Sequence, residues 1–383
     1  MVKIIPKVYA HGCYIGTTGY NNHTRDFFRE LSKLLKLKVR NFTVPQYFKG
    51  IKDEPFNRED YLTDLDKKLL VTQGTWNSKV LEDNLIYSKY KNEFTPNINI
   101  ILAECDHHYF YQQYKGPKIA YTVWETTRYP QTFYDRLVIC DQIWVPSKWQ
   151  RDCSIEQGMD PNKVKIIPEA VDGKVFKPNK NVTLPEYNDN RFKFLIFGRW
   201  DYRKSTKELI ECFLDEFNED EPVDLVLSID NRFAKDGFKN TEERLEHYGL
   251  KDPRLKIKHF PTREEYIKYL QKGHVFLSCA RSEGWNLPLI EAMACGTPSI
   301  YSNCCAQLEF AEGKGLPVKI KGTIPAVGGE YSTYSQSDLP GEFYQPDYND
   351  LKKVMRDAYT NYKKHKKRAI KESVDIRNKW ASF

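Results

Sequence analysis

Ser282-Glu283-Gly284-Trp285-Asn286-Leu287-Pro288-Leu289-Ile290-Glu291-Ala292-Met293-Ala294-Cys295-Gly296-Thr297-Pro298 is the stretch from which the rest of the chain can be read. The apolar segments His274–Ser278 before it and Ser299–Tyr301 after it have strand length, so the pattern is strand, loop, helix, strand. Asn286 is placed to cap the helix, Pro288 sits in a first turn where its missing N–H costs nothing, and Gly296 follows the last turn. The helix body is small and apolar almost all round, which predicts burial against a sheet. Glu291 breaks that pattern, because a carboxylate taken out of water needs a partner or a ligand. Glu283 lies eight positions earlier, on the loop above the strand end. In an open parallel sheet that edge is where ligands bind, and backbone N–H groups of Gly284, Trp285, Asn286 and Leu287 there suit an anion, most naturally a phosphate. The combination points to an anionic ligand carrying hydroxyl groups. The plainer alternative is a capped core helix that happens to contain a glutamate.

With 383 residues the chain has room for two domains, each with its own core. It contains no run of 18 apolar residues and no basic, apolar and small-residue leader at its start, which predicts a cytoplasmic protein. Nine cysteines are scattered without a C-x-x-C spacing and read as packed, reduced thiols; no zinc site is expected. A net charge of +7 argues for an anionic ligand or surface, but such a balance does not diagnose nucleic-acid binding.

In the first half, Lys3–Ala10, Lys38–Val44, Val71–Trp76, Asn97–Ala103, Lys118–Val123, Gln142–Pro146 and Val164–Pro168 read as strands, and Ser147 caps a helix reaching about Gln157. The loop at Gly16-Thr17-Thr18-Gly19 precedes a helix over Asn22–Lys36, with Phe27, Phe28, Leu31, Leu34 and Leu35 on one face. Arg25, Arg29, Lys33 and Lys36 fall on another face, read as solvated surface or as a contact for an anionic lipid headgroup or other acidic acceptor. Asp64-Leu65-Asp66 has the form of a metal-binding D-x-D, but its amphipathic flanks favour a surface segment. Two clusters follow strand ends, where a doubly wound sheet places ligand loops: Glu104-Cys105-Asp106-His107-His108 and Trp124-Glu125-Thr126-Thr127-Arg128. His107 and His108 more simply cap a strand end. Trp124 is either a flat face for a sugar or a core residue.

Val171–Asn190, with two prolines and four asparagines, reads as a linker, and the strand–helix alternation then restarts. Expected strands are Phe192–Phe197, Val223–Ile229, Leu255–His259 and Val275–Ser278, with helices between them. Gly198 follows the first of these, and Arg199 and Lys204 bring positive charge to a helix start, where cations oppose the helix dipole unless an anion is bound. Lys319–Gln345 reads as an irregular excursion or flap, Asp350–Tyr362 as a helix, and Lys363–Arg368 as a basic run. The expected architecture is α/β, with two doubly wound Rossmann-like domains facing a central cleft: residues 1–172, a linker at 173–190, residues 191–365, and a basic helical tail at 366–383.

With these residues in view, the chain resembles the retaining glycosyltransferases of the GT-B fold, in the large family that includes sucrose synthases and phosphatidylinositol mannosyltransferases. The resemblance rests on E-x7-E at Glu283 and Glu291. It is supported by Gly198-Arg199 with Arg203-Lys204, similar to a G-R-x-x-x-x-K-G in which Ser205 replaces glycine. Ile166–Asp172 is similar to an I-P-x-G-V-D in which Ala170 replaces glycine. It implies that Glu291 binds the ribose of a nucleotide sugar of UDP or GDP type and that Glu283 faces the sugar. Arg199 and Lys204 would hold the diphosphate, assisted by amides of the Gly284–Leu287 loop and of the Thr18-Gly19 loop. Trp124 stands where many members carry a histidine, so Trp124, Glu125 and His107 become sugar or acceptor contacts. The resemblance further implies front-face transfer with retention, without metal or other cofactor, to a hydroxyl of a glycan, lipid or other acceptor. The basic helices suggest a peripheral membrane contact or, as alternative acceptor, a modified nucleic-acid base. A non-catalytic nucleotide-sugar-binding protein is the third expectation.

Overall fold

The computed structural model describes residues 7–14, 19–43, 62–75, 98–103, 116–231, 234, 236–329, 331 and 338–381. They divide into two compact units, one running to Trp124 and from Tyr129 to Glu169, the other formed by Glu125–Arg128 and Ala170–Ala381.

The first unit runs β1 (Lys7–Gly12), α1 (Gly19–Leu34), β2 (Lys36–Thr43), α2 (Asp64–Leu69), β3 (Leu70–Thr75), β4 (Ile98–Leu102) and β5 (Lys118–Tyr121). It continues with α3 (Gln131–Val138), β6 (Gln142–Val145), α4 (Lys148–Glu156) and β7 (Val164–Ile166). Its strands form one parallel sheet in the order β3-β2-β1-β4-β5-β6-β7. The cap expected at Ser147 is present, its hydroxyl accepting from Gln150 N at 3.0 Å.

Two polar features of this unit are partly paired within it. On the basic face read at α1, Arg25 is buried and donates to Tyr14 O at 2.7 Å and Arg29 grips Asp66 at 2.7 and 2.6 Å, while Lys33, paired with Glu30, and Lys36 are exposed, as a solvated surface requires. Asp66 of the D-x-D is likewise consumed, taking the Tyr14 hydroxyl at 2.6 Å and closing a capping box with Thr63. Burial opposes its charge, but Arg29, Tyr14 and Thr63 hold its carboxyl well below the usual carboxylate range. Arg29 and Asp66 thus satisfy each other and leave little of either for an external ligand.

The second unit runs β8 (Phe192–Phe197), α5 (Thr206–Glu216), β9 (Val223–Ser228), α6 (Thr241–His247), β10 (Leu255–Ile257), α7 (Arg263–Lys272), β11 (Val275–Ser278) and α8 (Leu287–Ala294). Then come β12 (Ser299–Ser302), α9 (Leu308–Ala311), β13 (Leu316–Val318), β14 (Ile320–Pro325), β15 (Glu342–Pro346), α10 (Tyr348–Thr360) and α11 (Tyr362–Lys379). The main sheet is parallel in the order β10-β9-β8-β11-β12-β13. β8 shows why: every residue is buried, as a strand covered on both faces requires. Phe194 and Ile196 join one core with Leu209, Phe213 and Leu225, while Leu195 and Phe197 join the other with Phe276, Leu289 and Ile290. Lys193, the one charge in the strand, is carried by Asp224 at 2.8 Å and Asp189 at 2.7 Å.

The 173–190 stretch, expected as a linker, lies within the second unit and supplies Phe176, Val182 and Leu184 to its core. Within the expected 366–383 tail, residues 366–379 are the later part of α11, which starts at Tyr362 and is anchored by the buried Ala369, Ser373 and Ile376, with Trp380 buried just past its end. The excursion at Lys319–Gln345 contains an antiparallel pair, β14 with β15. No helix among the described residues is long and apolar enough to cross a membrane.

In both sheets the strand order reverses between two neighbours, β1 and β4 in the first unit and β8 and β11 in the second. The carboxyl ends of such a pair diverge their loops and leave room for a ligand. The two loops expected to carry the chemistry, Gly198–Ser205 and Cys279–Asn286, leave the ends of β8 and β11.

Candidate active site

Gly198 leaves β8 with φ 151°, a backbone state that side chains rarely adopt, and the stem of Lys204 lies over it: a Cβ built there would sit 3.6 Å from Lys204 Cδ. Between them the chain makes a tight turn in which Asp201 Oδ1 accepts from Arg203 N at 2.8 Å. Ser205, where the family pattern has glycine, is left-handed at φ 53° and sits at the N-cap position of α5 without a side-chain cap bond. Its hydroxyl is tied to Tyr348 at 3.1 Å and to Arg281 at 3.3 Å. Arg281 stacks over the Tyr202 ring at 3.9 Å, pairs with Glu208 at 2.7 Å, and donates its backbone N–H to Arg203 O at 2.7 Å. The loops after β8 and β11 are thus stitched together.

That stitching delivers Glu283 to two cations. Its Oε1 accepts from Lys204 Nζ at 2.6 Å and its Oε2 from Arg203 Nη1 at 2.9 Å, while its backbone N–H reaches Cys305 Sγ at 3.2 Å. Burial works against the charge, yet Lys204 and Arg203 hold the carboxyl below its ordinary value of 4.5. Arg203 also donates to Ser282 O at 2.8 Å and pairs through Nη2 with Glu125 at 2.9 Å. The other Glu125 oxygen accepts from the Tyr331 hydroxyl at 2.7 Å. Glu125, Arg203, Glu283 and Lys204 therefore form a chain of alternating charge. Gly198, Arg199, Lys204, Thr206, Ser278 and Ala280 line a small recess beside it.

The carboxylate that looked misplaced in α8 is satisfied from α7. Arg263 Nη2 meets Glu291 Oε1 at 3.0 Å and the Tyr266 hydroxyl meets Oε2 at 2.6 Å. Burial and then the Glu291 charge push the Tyr266 phenol well above its ordinary value, so it stays a donor. Asn286 is left-handed at φ 84° and caps α8, its Oδ1 accepting from Leu289 N at 3.3 Å and its amide donating to Ser278 Oγ at 3.0 Å and Gln307 Oε1 at 2.8 Å. Its side chain is occupied in holding the loop.

The rings of Trp285, expected to contribute its backbone amide, and of Trp124, read as a sugar face or a core residue, are both packed. Trp285 is buried with its ring 5.3 Å from Phe310 and 5.4 Å from Trp380, filling the core beneath the loop. Trp124 is buried in the first unit, stacked on Tyr129 at 5.8 Å and edge-on to Phe133 at 5.5 Å. Gly19 opens α1 in the first unit. Thr18 and His107, with the rest of the 104–108 cluster, lie outside the described residues.

Arg203, Arg263, Tyr266 and Tyr331 join the site without any role predicted for them from sequence. Arg263 and Tyr266 lie 28 and 25 positions from Glu291, and the only signal for them is that a buried carboxylate demands a partner. Among the described residues no group of three or more His, Cys, Asp or Glu side chains is arranged to hold a metal ion.

Two Rossmann-like units with E-x7-E and a basic turn at the switch point of the second define a protein of the GT-B fold. Residues 180–316 match the glycosyl transferases group 1 family. The fold is shared across nearly the whole length with HepE of Anabaena, solved in complex with UDP and glucose: TM-score 0.73 at 14% identity, over 98% of this chain and 96% of that one. D-inositol 3-phosphate glycosyltransferase of Paenarthrobacter aurescens is 26% identical over 151 residues, 38% of this chain and 36% of that protein. A putative glycosyltransferase of Acidianus filamentous virus 1, ORF313, is 27% identical over 187 residues, 46% of this chain and 50% of that protein. The chain spans between 16% and 50% of the length of the curated relatives it matches.

Proposed function

We propose that the protein is a retaining glycosyltransferase that moves a hexose from a nucleoside diphosphate sugar, of UDP type, to a hydroxyl of a glycan or lipid acceptor. The observation that carries this is the convergence of Glu283 on Lys204 and Arg203, residues about eighty positions apart, at the carboxyl ends of β8 and β11. The UDP-bound state of the similarly folded HepE supports the choice of base.

In this reading Glu291, aimed by Arg263 and Tyr266, accepts from the ribose hydroxyls, and Arg199 and Lys204 take the diphosphate. The amides of the Gly284–Leu287 loop add a third source of positive potential. Glu283 accepts from a hydroxyl of the transferred sugar. The acceptor oxygen attacks the anomeric carbon on the face that the diphosphate is leaving; the bond to the phosphate oxygen breaks as the new glycosidic bond forms. The acceptor's proton passes to that phosphate oxygen, so configuration is retained without a protein nucleophile. The protein's contribution is preorganised charge, the largest catalytic factor in most such sites. Lys204 and Arg199 supply the neutralisation that a divalent cation provides in other transferases, and no metal or other cofactor is assigned. All eight described cysteines are thiols, which fits a reducing, cytoplasmic setting.

Lys204→Ala and Glu291→Ala, assayed with UDP, GDP and ADP sugars and checked for an unchanged circular dichroism melt, test the assignment. Loss of turnover by at least about 100-fold in each is the expected result; wild-type turnover in either overturns it.

A further inference from the structure

Glu283 holds two cations of different freedom. The Arg203 side chain is 2% exposed and Lys204 is 20% exposed. Arg203 is fixed at three places: its N–H on Asp201, its carbonyl under Arg281 N, and its guanidinium spread over Glu283, Ser282 O and Glu125. Lys204 is a single ammonium on a flexible stem, and its pairing partner is Glu283. A diphosphate entering beside Gly198 would present at least two negative charges to Lys204 and draw it off that carboxylate. Glu283 would then be a buried charge short of one partner, a state that buried carboxylates resolve by taking a proton. Arg203 cannot follow Lys204, because its second arm is held by Glu125, itself steadied by Tyr331.

Building on the nucleotide-sugar reading, we propose that Arg203 is a positioning residue for transfer: anchored by Glu125, it holds the Glu283 carboxylate in place while Lys204 exchanges from Glu283 to the donor's diphosphate. Glu125 is accordingly the anchor of that arginine and not a contact to the sugar or acceptor. The alternating series Glu125, Arg203, Glu283, Lys204 is the resting arrangement, and only its last link opens.

The test follows Glu283 directly, by carbon-13 NMR of its side-chain carboxyl, assigned by difference against Glu283→Gln, through a pH titration with and without saturating UDP. Arg203→Met risks a misfolded chain because it strands two carboxylates, so Arg203→Lys and Glu125→Gln carry the comparison. In the wild type the carboxyl should titrate below 4.5 with and without UDP. In both variants it should titrate near the wild-type position without UDP and move toward neutral pH when UDP is bound. The acid limb of kcat should move with it, lowering kcat at pH 5 about tenfold while the donor KM changes little. A UDP-saturated variant whose Glu283 titrates as in the wild type overturns the proposal and leaves the nucleotide-sugar reading standing. So does a variant with raised KM and an unmoved kcat profile. Failure of the wild type to bind UDP overturns both.

Discussion

Glu291 shows what a single residue can and cannot disclose. Its position in an apolar helix announced that something must satisfy it; that the something is Arg263 and Tyr266, on a helix 25 to 28 positions away, is written in no local pattern. Tyr266→Phe removes one hydrogen bond to a buried charge and should cost about 1–3 kcal/mol in urea unfolding. It should also weaken UDP binding by calorimetry, since Glu291 loses its aim. Asn286→Ala is expected to cost more than an ordinary cap, about 2–3 kcal/mol, because the same side chain bonds Leu289, Ser278 and Gln307 and no alanine favours φ 84°. The corresponding thermal melts check it. Arg203 was written into the sequence beside Lys204, and nothing in the spacing distinguishes the cation that stays from the cation that moves.

At the scale of elements, most strands and the helices around the site were legible, with ends shifted by a residue or two, because buried parallel strands are continuous apolar runs and caps are local chemistry. What was not legible is how polar faces spend themselves. The basic face of α1 reads as solvated surface or as an external contact, and its division between the internally paired Arg25 and Arg29 and the exposed Lys33 and Lys36 emerges only when Tyr14 and Asp66 are placed. The basic run at 363–368 is similarly divided, since His365 is buried against Asp357 and burial lowers Lys366 from 10.5 to about 8. One more buried base sets a pH dependence. His274 packs against Phe192 at 4.5 Å, its Nδ1 accepts from Lys193 N, and burial, reinforced by neighbouring lysines, lowers it from 6.5 to about 4. The folded chain therefore keeps this ring neutral where the unfolded chain protonates it. Stability from this group is whole above pH 6.5 and declines as pH falls toward 4, by roughly 3 kcal/mol in all. Urea unfolding from pH 7 to 4.5 should show a shallower decline in His274→Phe than in the wild type. Equal slopes would remove His274 from the explanation.

For the whole molecule, the two sheets with their reversals of strand order were foreseeable from the alternation of apolar runs and helices, and the E-x7-E stretch falls at the carboxyl edge of the second, as its loop position implied. The extent of that unit was not, because 173–190 looks like a linker by composition while its few apolar residues, Phe176, Val182 and Leu184, pack into the core. A site built wholly within the second unit from Glu291, Glu283, Arg199 and Lys204 should bind donor in the folded state alone, so UDP at 100 times its Kd should stabilise the protein by about 2.7 kcal/mol. Transfer of labelled sugar is the most direct measurement: incubate the wild type and Lys204→Ala with UDP-glucose carrying a radiolabelled sugar, and count label released to water or captured by added acceptors against UDP formed. Release of UDP with matching loss of label from the donor, abolished in Lys204→Ala, is the expected result; a wild type that leaves every UDP, GDP and ADP sugar intact would contradict the assignment.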